Sequence, residues 1–214
     1  MISGLPSSGT DWLARCMVEG LGLDQDQYYR EWFNPLCNWS RADDLAKRGF
    51  GSESPHAIRG VGRRLESDVT DLVQKFTDSG LLLDKEVWMA GKALDMKEHF
   101  HIIGLTRDLE DTFPPKRARV LNWFQWVQTV ANPNVEEDRS FMQTARSGYR
   151  WLQEVHRLDC HTAEVPLLNW GDLVNEHNPF AMTAMIEVAL PPHLSEYAER
   201  VAQVIIRTRK LKTE

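Results

Sequence analysis

The sequence predicts an α/β fold: a parallel β-sheet flanked by helices on both faces. Three observations carry this. Short apolar runs alternate with longer stretches whose apolar residues recur at helical spacing. The runs are apolar throughout rather than alternately polar, which suits strands covered on both sides. A turn rich in glycine and serine, from Gly4 to Thr10, joins the first run to the first helical stretch.

The elements follow in order. Met1, Ile2 and Ser3 form the first strand, so that strand is short, lies at an unusual edge, or has its native start upstream. Residues 11–22 read as a helix with Trp12, Leu13, Cys16, Met17, Gly20 and Leu21 on one face. Residues 24–60 read as an irregular lobe or lid, with Tyr28, Tyr29, Trp32, Phe33, Trp39 and Phe50 among scattered glycines and prolines. Residues 61–78 give a helical stripe that Gly80 ends, and Leu81-Leu82-Leu83 reads as a buried strand. A helix over 87–98 follows, then the strand His101-Ile102-Ile103-Gly104-Leu105-Thr106, which ends at Arg107-Asp108.

Pro114-Pro115 breaks the chain before a helix over 118–131. Pro133 and the acidic Glu136-Glu137-Asp138 open another helix, whose start complements the helix dipole. Its face carries Phe141, Ala145, Tyr149, Leu152 and Val155. Glu164 to Trp170 is a third strand, placed at or near an edge by Pro166. Asn178-Pro179 reads as an N-cap followed by the first helical residue, and a final helix covers 194–207.

The 214 residues suit a single domain, and 42% hydrophobic content is enough for a full core without staples. A net charge of −6 argues against a general nucleic-acid binder. Basic residues cluster locally, at Arg63-Arg64, at Lys116-Arg117 with Arg119, and from Arg207 to Lys212. Cys16, Cys37 and Cys160 are widely spaced and odd in number, so they make no disulfide framework. With no signal peptide and no 18-residue apolar run, the expected setting is a reducing cytoplasm, with no membrane partner. His99 with His101, and His156 with His161, lack a third ligand at metal-binding spacing, so no metal is expected.

The first turn carries the chemistry. A turn between strand and helix aims backbone N–H groups and a helix N-terminus at one point, an anion site. Gly4 and Gly9 fit the ATP-loop pattern G-x-x-x-x-G-K-[ST], but Thr10 replaces its lysine and Asp11 its metal-binding hydroxyl. The spacing therefore predicts a phosphate loop while arguing against an ATP-driven kinase. A tight turn with no ligand is the plain alternative.

Three segments in order carry a resemblance. They are Gly4-Leu5-Pro6-Ser7-Ser8-Gly9-Thr10-Asp11-Trp12-Leu13, His101 to Asp111, and Val165-Pro166-Leu167-Leu168-Asn169-Trp170-Gly171-Asp172-Leu173-Val174. Together with Leu83-Asp84-Lys85, they resemble the sulfotransferases that use 3′-phosphoadenosine 5′-phosphosulfate (PAPS). The resemblance covers most of the chain and implies a P-loop-like sulfotransferase architecture. It implies that Pro6, Ser7, Ser8, Gly9, Thr10, Asp11 and Trp12 form the cofactor turn. Ser8 and Thr10 would supply hydroxyls there, and Trp12 would lie against adenine. Arg107 would grip the 3′-phosphate through its planar fork.

The chain departs from the family pattern at three places. Ser7 stands where the family has Lys or Arg, and Lys85, Arg15 or a basic cluster is the candidate replacement. Pro115 stands where many members place a serine on the 3′-phosphate, and Lys116, Arg117 or Arg119 is the candidate there. The family's C-terminal R-K-G-type loop is absent, although Arg207, Arg209, Lys210 and Lys212 are basic.

Glu31, in Arg30-Glu31-Trp32-Phe33-Asn34, matches the place of the general base in smaller members; His56 is the reserve candidate. The expected activity is transfer of a sulfuryl group from PAPS to a hydroxyl or amine of a small-molecule or glycan acceptor. The alternatives are a nucleotide-binding or interaction module of the same fold without catalysis, and a divergent P-loop kinase.

Overall fold

The computed structural model describes residues 1–5, 8–30, 32, 65–86, 96–108, 150, 153–154 and 156–209; at 65–69 and 72 it describes the backbone alone. Five short strands form one sheet: β1 (Ile2–Gly4), β2 (Tyr28–Arg30), β3 (Leu83–Glu86), β4 (Ile103–Thr106) and β5 (Leu167–Asn169). Their order is β2-β3-β1-β4-β5, and every neighbouring pair is parallel. The expected α/β fold is present. Pro166 directly precedes an edge strand of this sheet, as its missing N–H requires.

Five helices accompany the strands among the described residues: α1 (Thr10–Leu21), α2 (Leu65–Asp78), α3 (Trp170–Asn175), α4 (Pro179–Ala189) and α5 (Ala198–Arg209). A further helical segment spans 156–162. Two apolar clusters show how they cover the sheet. In the first, Ile2, Leu83, Ile103, Leu105 and Leu168 meet α1, α4 and α5. In the second, Met1, Leu81, Ile102 and Val165 meet Phe76 of α2 and Cys160 of the 156–162 segment. Side chains alternate across a strand, so Ile102 and Ile103 serve different clusters.

The helix boundaries follow local rules. Trp12, Leu13, Cys16 and Met17 recur at helical spacing, and all are buried. Burying each such side chain stabilises the fold by about 1.5–3 kcal/mol, which is what holds α1 in place. Asn178 accepts a hydrogen bond from the Phe180 N–H at 2.9 Å, and Pro179 occupies the first helical position, as the sequence predicts.

Two expectations need correction. Tyr28–Arg30 is a strand, β2, inside the stretch read as irregular. It pairs with β3 from Tyr28↔Leu83 to Arg30↔Lys85, and three residues at a sheet edge leave no apolar run to detect. The strand expected at Leu81-Leu82-Leu83 is shifted: β3 begins at Leu83 and continues through Asp84, Lys85 and Glu86, all buried. Leu82 is 60% exposed. Hydropathy points to Leu81–Leu83, but pairing with β1 and β2 places the strand at Leu83–Glu86. The helices expected over 118–131 and from Pro133, and most of the lobe at 24–60, lie outside the described residues.

Candidate functional site

The strand order itself makes a crevice. The chain leaves the carboxyl end of β1 toward β2 on one side of the sheet. It leaves β4 toward β5 on the other side. Adjacent strands whose connections diverge in this way open a ligand crevice at their carboxyl ends. β1 ends at Gly4 and β4 at Thr106, so this crevice receives the first turn and Arg107.

The turn is tightly built. The Ser8 N–H donates to the Leu5 carbonyl at 3.0 Å, and Leu13 begins the helical bonds by donating to Gly9 at 3.0 Å. Gly9 is the N-cap of α1 at φ 99°, with no side-chain cap. The first N–H groups of α1 thus have no side-chain acceptor at the cap, and the dipole adds partial positive charge there. Both glycines are sterically fixed. A Cβ on Gly4 would lie 2.6 Å from Ser8 Oγ and 2.7 Å from the Leu105 carbonyl oxygen. A Cβ on Gly9 would lie 2.2 Å from Cε3 and Cζ3 of Trp170.

Ser8 is 1% exposed, and its hydroxyl has no hydrogen-bond partner among the described residues. Buried hydroxyls are normally satisfied, so this one is an unfilled polar position beside the helix N-terminus. Thr10 is buried, with its methyl toward Gly4.

Arg107 follows β4 directly, and its guanidinium carbon lies 4.8 Å from the ring centroid of Trp170. Its backbone carbonyl accepts from Gln153, whose amide also donates to Thr106 Oγ1 at 3.2 Å. Trp170 starts α3, where the Asn169 side chain caps the helix by accepting from the Gly171 N–H at 2.7 Å. Its indole therefore touches both the turn and Arg107. In the sequence, Trp170 stands only as the last residue of an expected strand. Its placement depends on β5 pairing with β4, which composition does not reveal. Gln153 carried no sequence signal at all.

Asp11 brings a negative charge into the first turn of α1, but two arginines answer it. Arg30 Nε at the end of β2 lies 3.1 Å from its carboxylate, and an Arg15 guanidinium nitrogen lies 3.6 Å away. Exposed pairs of this kind contribute about 0.2–1 kcal/mol each. Their larger consequence is that two arginines stand beside the one carboxylate, which lessens the repulsion that Asp11 alone would exert on a phosphate.

The other expected site residues divide plainly. Trp12 is 8% exposed; its indole N–H donates to Thr208 Oγ1 at 3.0 Å, and its ring meets Trp170 edge-on at 4.7 Å. Its ring packs in the apolar cluster around α1. Lys85 is 2% exposed, enclosed in β3 beside Ile2 and Arg30. Pro6, Ser7, Glu31, His56, Lys116 and Arg117 lie outside the described residues.

Two buried groups away from the turn have altered proton affinity. His156 is lowered from 6.5 to about 4, chiefly by burial, against a hydrogen bond with the Leu105 backbone. Cys160, whose sulfur lies 3.8 Å from His156 Nε2, is pushed up to about 12 by burial and then by Asp159. A neutral thiol beside a neutral imidazole is inert packing rather than a nucleophile pair. Among the described residues, no group of three or more His, Cys, Asp or Glu is placed to hold a metal, and no helix is long and apolar enough to cross a membrane. No protein-family model, curated protein or solved structure matches the chain.

Proposed function

We propose that the chain is a PAPS-dependent sulfotransferase whose nucleotide binds at the β1–α1 turn. The observation that carries the reading is the convergence at one crevice of an uncapped helix N-terminus, the unfilled Ser8 hydroxyl and Arg107. Each suits an anion, and all three lie in segments that resemble the family. An acceptor hydroxyl or amine would attack sulfur as the bond from sulfur to the bridging phosphate oxygen breaks. The electron pair of that bond leaves with adenosine 3′,5′-bisphosphate. Glu31 is the proposed base for the acceptor proton, and Arg15 and Arg30 are proposed to offset charge on the leaving phosphate.

A second reading, a nucleotide-binding module of this fold without catalysis, is favoured by one observation. Lys85, a candidate to replace the family's loop cation, is 2% exposed in β3. Both readings predict that adenosine 3′,5′-bisphosphate stabilises the protein more than ATP with magnesium does. At one hundred times its dissociation constant the bisphosphate should add about 2.7 kcal/mol. Thermal unfolding with each ligand checks this. Equal or greater stabilisation by ATP with magnesium would favour kinase chemistry. Sulfuryl transfer from labelled PAPS to a panel of hydroxyl acceptors separates enzyme from module.

A further inference from the structure

Trp170 is held from several sides. Its ring edge rests on Gly9, so closely that a Cβ there would overlap it. Trp12 packs against it at 4.7 Å and is itself tied to Thr208 of α5. Asn169 fixes its backbone at the start of α3. The ring is therefore a fixed platform between the turn and the end of β4, and it is 8% exposed. Onto this platform comes the Arg107 guanidinium, 4.8 Å from the ring centroid. Gln153 already fixes the Arg107 backbone through its carbonyl.

A free arginine loses rotamer freedom when it grips an anion, and a side chain ordered beforehand does not. An indole face attracts a guanidinium more strongly than a benzene ring does, and an aliphatic side chain offers no such face. We infer that Trp170 is a positioning residue that holds Arg107 at the β1–α1 turn and so sets the affinity of that turn for phosphate. The inference rests on reading the turn as an anion site. It adds that binding is limited by the pose of Arg107, and that one ring couples β5 to a ligand at β1 and β4.

The test is a double-mutant cycle read by calorimetric binding of adenosine 3′,5′-bisphosphate. Trp170→Leu should weaken binding roughly tenfold, the scale of one lost cation–π contact and one reordered side chain. Trp170→Phe should weaken it by less. In an Arg107→Ala background both substitutions should have almost no further effect, because there is no guanidinium left to position. If Trp170→Leu does not fold, the Phe variant gives the same cycle. A purely structural tryptophan would lower affinity equally in both Arg107 backgrounds, and that additive result overturns the inference. If the wild-type protein does not bind the bisphosphate, the anion-site reading itself fails. If it binds and Arg107→Ala changes nothing, the turn stands as an anion site and the proposed role of Trp170 falls.

Discussion

An alanine at position 9 would place its methyl 2.2 Å from the Trp170 ring, on a backbone at φ 99°. Gly80 offers the matching control: its φ is 71°, but nothing lies within 4 Å of an added Cβ. The left-handed backbone alone costs about 1–2 kcal/mol for a residue with a side chain, and both substitutions incur it. Gly9→Ala also overpacks the ring, a further cost of about 1–3 kcal/mol. Urea unfolding should therefore rank Gly9→Ala clearly below Gly80→Ala in stability. Equal losses would mean that Trp170 moves aside freely, and the turn would then not be wedged against it.

At the scale of the element, β3 is the instructive case. Its alternation puts Leu83 in the cluster under α1, and Asp84 and Glu86 on the other face. There the Trp32 N–H donates to Asp84 Oδ1 at 3.1 Å, and the Asp84 and Glu86 carboxyls hydrogen-bond each other. Two carboxyls can share a hydrogen bond only if one keeps its proton. Burial raises the Asp84 carboxyl above its usual 3.8, against those hydrogen bonds. A carboxyl raised on folding contributes stability that is full below its unfolded value and is lost as pH rises toward the folded one. Asp84→Asn keeps the shape and both hydrogen bonds without that proton. Its stability relative to wild type should rise from pH 4 to pH 8 in urea titrations; a constant difference would show that Asp84 does not hold the proton.

The same strand shows where the sequence was legible. The helical stripes over 11–22 and 194–207 are plain because packing selects apolar residues at their spacing, although the last helix starts at Ala198, after a 3-10 segment over Pro192–Tyr197. So are the turn and the strand ending at Arg107, because their punctuation is local. β3 is not legible from hydropathy because its charged residues are buried, with Asp84 answered by Glu86 of the same strand and by the Trp32 N–H. β2 and Trp170 were missed because only the sheet order gives them a place.

On the scale of the whole molecule, the sheet separates two apolar clusters, and the described ends of β1 and β4 meet where the connections diverge. The cluster away from α1 includes Cys160, and His156 lies one turn before it, buried against the Leu105 backbone. This imidazole ties acid stability to the packing of the 156–162 segment on β4. Its folded value, about 4, lies below its ordinary 6.5. A lowered group contributes stability that is full above the unfolded value and is lost as pH falls toward the folded one. The window is therefore pH 6.5 to 4, and the loss across it is about 3 kcal/mol at 1.36 kcal/mol per unit. Asp84 acts with the opposite sign above 3.8, so the wild-type profile alone does not isolate His156. His156→Gln isolates it, because glutamine stays neutral and can still reach the Leu105 backbone. The variant should be less stable than wild type at pH 7 by its packing defect, and the gap should narrow by about 3 kcal/mol as pH falls to 4. Urea midpoints at unit pH steps read this directly. Parallel curves for the two proteins would mean that the 156–162 segment opens to water before the imidazole gains its proton.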